Sequence, residues 1–226
     1  MFPRIKNKKA ISTVLTTMII LVASVVLATS VVIYGTSLFQ TGAQSQGLAT
    51  SGIKIWINST ASQGYAWGAA AVRNTGDKLI SVDTISVRGT AVPFSNWYFT
   101  SDPLQVTSEN IQAAFNYTAV DANNMMKNST TTGVGTARMF AVSSCNAATS
   151  THALIIQEVI PGTAINPTVC LAQASGPVSL KPGQAAIVYF KLPDGVLKTV
   201  DAGVASSVAI YASQVGAPAT VTVANP

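Results

Sequence analysis

Charge is what this sequence has least of. Asp, Glu, Lys and Arg make up 9% of its 226 residues, against about 25% in an ordinary soluble domain. From Ala10 to Ile53 there is no charged side chain and no proline. Histidine occurs once, as His152, and cysteine twice, as Cys145 and Cys170. The cysteines do not stand at a metal-ligand spacing. A Ser/His/Asp triad would have to use His152, and among so many serines nothing selects a nucleophile. Gly133-Val134-Gly135 lacks the rest of a dinucleotide fingerprint, and no Gly-rich phosphate loop is present. The carboxylates Asp77, Asp83, Asp102, Glu109, Asp121, Glu158, Asp194 and Asp201 are scattered singly. Only the fold could gather a catalytic pair or a calcium site from them. The sequence reads as no enzyme, with no cofactor and no metal.

The formal net charge of +5 rests on one end of the chain. Four of the thirteen basic residues, Arg4, Lys6, Lys8 and Lys9, lie in the first nine positions. Without them nine basic residues face eight acidic ones, so the high isoelectric point is no argument for nucleic-acid binding. A neutral surface rich in Ser and Thr suits packing against copies of itself.

After the basic cluster comes a long apolar run, Val14 to Phe39. A bilayer needs about 20 apolar residues. The run is apolar around its whole circumference, as befits a helix buried on every side in lipid or in a bundle of like helices. Small residues (Ala23, Ser24, Ala28, Ser30, Gly35) permit close helix–helix approach. Basic residues before the run hold the amino end on the cytoplasmic side. A helix of about 35 residues would span roughly 50 Å, more than a hydrocarbon core of about 30 Å. Gly42, Ser45, Gly47 and Ser51-Gly52 read as a flexible exit.

From about Ile53 the period changes to two. Predicted strands are Ile53–Ile57, Ala69–Arg73, Leu79–Val87, Arg138–Val142, Ala153–Ile160, Ala185–Leu192, Val204–Ala212 and Ala219–Ala224. Asn74-Thr75-Gly76-Asp77, Lys181-Pro182-Gly183-Gln184 and Leu192-Pro193-Asp194-Gly195 are turn sequences. Ser108–Met126 reads as a helix. The fold class is α+β: a long hydrophobic helix (residues 11–44), then an all-β head (53–226) of β-sandwich, Ig-like type. Trp56 and Trp97-Tyr98-Phe99 are assigned to its core rather than to an adhesive surface, and Met125-Met126 to packing.

Lys8-Lys9-Ala10 followed by Ile11-Ser12-Thr13-Val14 resembles the class III signal peptide of archaeal type IV pilins. The resemblance covers the leader and the helix. It implies that a prepilin peptidase cuts between Ala10 and Ile11, removing the leader 1–10 and its charges, including Lys8 and Lys9. It also implies a membrane-held precursor, polymerisation through the helix into an extracellular filament, and an assembly ATPase with a membrane platform. Bacterial type IV pilins carry Glu at the fifth mature position, where this chain has Leu15. Archaellins, the swimming-filament relatives, favour Gly at the third, where it has Thr13. An adhesive pilus is therefore favoured over an archaellum.

Two other readings stand beside this one. An ordinary secretory signal cut near Val26-Leu27-Ala28 would have a run of about 7–15 apolar residues, and this run is longer. An uncleaved anchor would hold the head at the cell surface as a binding module. On any exported reading Cys145 and Cys170 could pair; two buried free thiols are the alternative. Asn58, Asn116 and Asn128 each begin an N-glycosylation sequon.

Overall fold

The computed structural model describes residues 8–43, 46–59, 64–107, 117–120, 122, 124–127, 138–142, 153–157 and 168–225. It divides into two compact units, residues 1–45 and 46–226.

The first unit holds a helix, α1 (Lys8–Ala43), 36 residues without a break. At 1.5 Å per residue it is about 54 Å long. Lys8 and Lys9 are its only charges.

The second unit is a head of fourteen described strands. In chain order they are β1 (Leu48–Ile57), β2 (Ala66–Asn74), β3 (Ile80–Val87), β4 (Thr90–Ala91), β5 (Trp97–Thr100), β6 (Ala119–Val120), β7 (Met126–Lys127), β8 (Arg138–Val142), β9 (Ala153–Gln157), β10 (Thr168–Gln173), β11 (Val178–Leu180), β12 (Ala185–Lys191), β13 (Ala205–Ala212) and β14 (Val215–Ala224). Eleven follow one hydrogen-bonded path, β11-β3-β13-β14-β1-β2-β12-β5-β10-β9-β8, with β4 beside β3; β6 and β7 form a separate hairpin. All pairings are antiparallel except β1 with β14, where Ile55 faces Val223 and Trp56 faces Ala224. This is a large mixed sheet.

β14 joins the two halves of that sheet. Val215–Thr222 pairs with β13, and only Val223 and Ala224 reach β1. Beyond this junction the halves face one another. Ile80, Val82, Ile85, Val208 and Ile210 of one half share a core with Ile55, Val72, Val188 and Phe190 of the other. The sandwich is therefore one strand path folded onto itself.

A second core lies on the other face of the β1–β2–β12–β5–β10–β9 half. Trp56, Trp67, Tyr98, Leu154, Leu171, Ile187 and Tyr189 gather there under Tyr117, Met125 and Met126. The central strands are thus buried on both faces. Ala186 to Lys191 of β12 are buried without interruption, the continuous apolar pattern that double burial produces.

Several expectations change. β1 starts at Leu48, not Ile53. Ser51-Gly52 is no flexible exit but a bulge: Gly52 has φ 62°, and the register with β2 slips between Ser51 and Lys54. An extra residue with positive φ is what a glycine bulge needs. The helix expected over Ser108–Met126 is replaced at its C-terminal end by the β6–β7 hairpin; residues 108–116 lie outside the described residues. β5, β10 and β11 are strands that the sequence pattern does not predict.

Asn74, fully buried at the end of β2, ties two turns together. Its Nδ2 donates to the carbonyls of Lys78 (2.7 Å) and Leu180 (3.0 Å), and its Oδ1 accepts from Gly76 N at 3.0 Å. Its backbone N–H donates to Gln184 O, and its carbonyl accepts from Gly183 N. Thr75 N donates to Gly47 O at 3.0 Å, so the chain enters the head beside this knot. A side chain at Gly47 would lie 2.5 Å from the Thr75 hydroxyl, which is why a glycine stands there.

Candidate functional site

The chemistry of α1 is the chemistry of its surface. Thr13–Leu38, 26 residues with a mean hydropathy of 2.4, is long and apolar enough to cross a membrane. An anchor and a signal sequence share that property. Fifteen large apolar side chains of α1, Val14 through Leu38, stand at least half exposed in the single chain. Burying one such side chain is worth about 1.5–3 kcal/mol, so leaving them in water forgoes on the order of 30 kcal/mol. That exceeds the net stability of a typical domain, about 5–15 kcal/mol. A helix with that surface suits an apolar environment, as an anchor or a signal sequence does.

Its polar groups do not oppose this. Thr17 Oγ1 donates to Val14 O at 2.9 Å, and Ser24 Oγ to Leu21 O at 2.8 Å. Thr29 Oγ1 donates to the carbonyls of Val25 and Val26, Ser30 Oγ to Val26 O at 2.7 Å, and Thr36 Oγ1 to Ile33 O at 3.0 Å. Each hydroxyl is satisfied three or four residues back along its own helix. A hydroxyl left without a partner would cost several kcal/mol in hydrocarbon; these carry no such penalty. The sequence alone suggests only the small size of these residues, because which carbonyl a hydroxyl chooses depends on its rotamer.

Ala10 and Ile11 lie in the first turn of α1, where backbone N–H groups have no intrahelical acceptor. The side chains of Lys8, Lys9, Ala10 and Ile11 lie outside the described residues.

In the head, Cys170 on β10 is half-buried and disulfide-bonded. Cys145 lies outside the described residues. Gln105 Oε1 accepts from Cys170 N at 3.2 Å and from Thr100 Oγ1 at 3.3 Å, strapping the loop after β5 to β10. Asn116, Asn128 and His152 also lie outside the described residues. Asn58 is corrected. It is 2% exposed, its Nδ2 donates to Tyr117 O at 3.0 Å, and its backbone N–H to Tyr65 O. A glycan is joined through Nδ2, so in the folded head Asn58 is a buried structural residue and not an acceptor.

The tryptophans, candidates for an adhesive surface by their chemistry, are internal. Trp67 and Trp97 are fully buried and Trp56 is 5% exposed. Trp56 stacks on Trp67 at 5.8 Å, and Tyr117 meets Trp67 edge-on at 5.9 Å. Trp97 Nε1 donates to Val92 O at 3.0 Å. Burial raises the pKa of Tyr117 and Tyr189 well above the usual phenol range. Met125 and Met126 are buried against this cluster.

The described carboxylates are not drawn together. Asp201 forms a two-pronged ion pair with Arg88, Nη1 to Oδ2 at 2.9 Å and Nη2 to Oδ1 at 3.0 Å. Its Oδ2 also accepts from Lys198 N at 2.7 Å. The hydrogen bond from Arg88, then that from Lys198, hold its carboxyl below the usual range. Asp83 Oδ2 accepts from Ser213 N, and Asp102 Oδ1 from Leu104 N. Among the described residues no three His, Cys, Asp or Glu side chains are placed to hold a metal. The feature that stands out is the self-satisfied apolar helix carried by a two-core β head. The chain matches no protein-family model and no curated protein.

Proposed function

We propose that this chain is a structural subunit of an extracellular filament of the archaeal type IV pilus kind. The precursor is held in the membrane by α1, with its basic end inside. A prepilin peptidase trims it between Ala10 and Ile11. Subunits then polymerise through residues 11–44, driven by an assembly ATPase and a membrane platform, and the heads form the sheath.

One observation carries this reading. From Ala10 on, α1 carries no charged side chain, and the hydroxyls of Thr17, Ser24, Thr29, Ser30 and Thr36 bond inward to its own backbone. Those five hydroxyls need no outside partner when the helix leaves lipid for a bundle of identical helices. Trimming would remove Lys8 and Lys9, charges that would cost several kcal/mol each if buried unpaired in a filament axis. Head-to-tail contacts that do not close on themselves then extend as a helical polymer.

The test is to shear the surface of producing cells, pellet at high speed, and sequence the amino terminus of this protein. Ile-Ser-Thr-Val in pelleted filaments is the expected result; a motility assay on cells lacking the protein then separates pilus from archaellum. A full-length chain confined to the membrane fraction would overturn the filament reading and leave an anchored surface domain.

A further inference from the structure

We propose that the end of the head where the chain enters is a docking surface for anionic phospholipid headgroups. The inference rests on the reading of α1 as a membrane anchor and describes the subunit before assembly.

Three turns or strand ends converge at that end. Gly47 is bonded to Thr75, and Asn74 joins the turn at residues 75–79 to the turn at 181–184. Arg73, Lys78 and Lys181 are exposed on this rim. Two carboxylates oppose them: Asp77, exposed, and Asp83, half-buried with Oδ2 accepting from Ser213 N. Between the cations stands Leu79, 57% exposed, next to Lys78 and one step beyond the Ile80–Leu180 strand pair that leads to Lys181. Exposed apolar and cationic side chains together are the signature of a surface that rests at the headgroup level.

Chain connection selects the occupant. Eight residues lie between Leu38, the end of the apolar span, and Gly47, nine Cα–Cα steps in all. Fully extended they reach at most about 30 Å, so this rim cannot leave the neighbourhood of the bilayer while α1 is inserted. Tethering also makes a weak attraction sufficient, because binding becomes intramolecular. A second copy's helix offers nothing to these cations, since residues 10–53 contain no carboxylate.

The test uses the full chain in vesicles and a membrane-impermeant amine reagent, with labelling of each lysine read by mass spectrometry. Lys198 is the internal reference. It is exposed and lies near the other end of the head, beyond β12, whose seven residues span about 20 Å. In phosphatidylcholine vesicles containing phosphatidylglycerol at low salt, Lys78 and Lys181 should label about fivefold more slowly relative to Lys198 than in phosphatidylcholine alone. The difference should vanish at about 0.5 M salt. Arg73→Gln with Leu79→Ser, both at exposed positions, should weaken the protection of Lys78 and Lys181 while α1 stays inserted. Equal labelling ratios in both lipids would overturn the proposal. A chain washed off the vesicles at alkaline pH would instead overturn the anchor reading, and this inference with it.

Discussion

A few residues act far beyond their size. Asn74 satisfies two carbonyls and one amide from a fully buried position. Asn74→Ala would strand those groups, and about 2–4 kcal/mol of head stability should be lost; denaturant unfolding of the full chain in detergent measures it. Asn-Thr-Gly-Asp is legible as a turn, but the partner of that turn is not, because Leu180 lies 106 residues away. The same distance in sequence hides the Arg88–Asp201 pair, 113 residues apart. Its pH dependence has a definite sign. Asp201 is held below its ordinary pKa, so the pair's contribution is present above about pH 4 and is lost as pH falls through the folded-state value. A double-mutant cycle of Arg88→Ala and Asp201→Ala should show coupling at neutral pH that decays in acid. Coupling that is unchanged at pH about 2 would mean the carboxylate is not the partner that matters.

Elements are legible where burial is one-sided and obscure where it is not. β13 alternates buried and exposed along its length, and its predicted span differs by one residue. β5 lies on the doubly buried half, where no alternation exists to be seen. β2 shows what close packing demands there. A side chain at Gly68 would sit against the Phe190 ring, so Gly68→Ala should destabilise the head by about 1–3 kcal/mol through overpacking. The melting temperature checks this, and trimming Phe190 to Leu in the same chain should restore part of the loss. α1 is the plainest element to read. Val25→Asp would put a carboxylate mid-span, at about 2.5–3.5 kcal/mol in lipid, and more where neighbouring helices shut out water. Filament yield should collapse while the circular dichroism of the head's strands is unchanged. Normal filaments from that variant would show that this part of α1 is not buried between subunits.

At the scale of the molecule, the sequence indicates a helix and a β head but not two cores. The second core needs the β6–β7 hairpin as its lid, and strands of two residues leave no pattern to read. One consequence is optical. All three tryptophans are internal, so emission should be blue-shifted and barely quenched by iodide; strong quenching in the folded protein would contradict the double-core packing.

The junction at β1 also has a mechanical meaning. A pull directed along β1 would enter the head at Leu48, in a strand flanked by β2 on one side and, at its far end, by β14 on the other. Eight residue pairs join β1 to β2, and the bonds between them lie across the line of pull. Tension would load them together in shear instead of peeling them one by one. If the subunits assemble as proposed, in a fibre dragged by flow or by a moving cell each head would resist being drawn out from the strand at which the strain arrives.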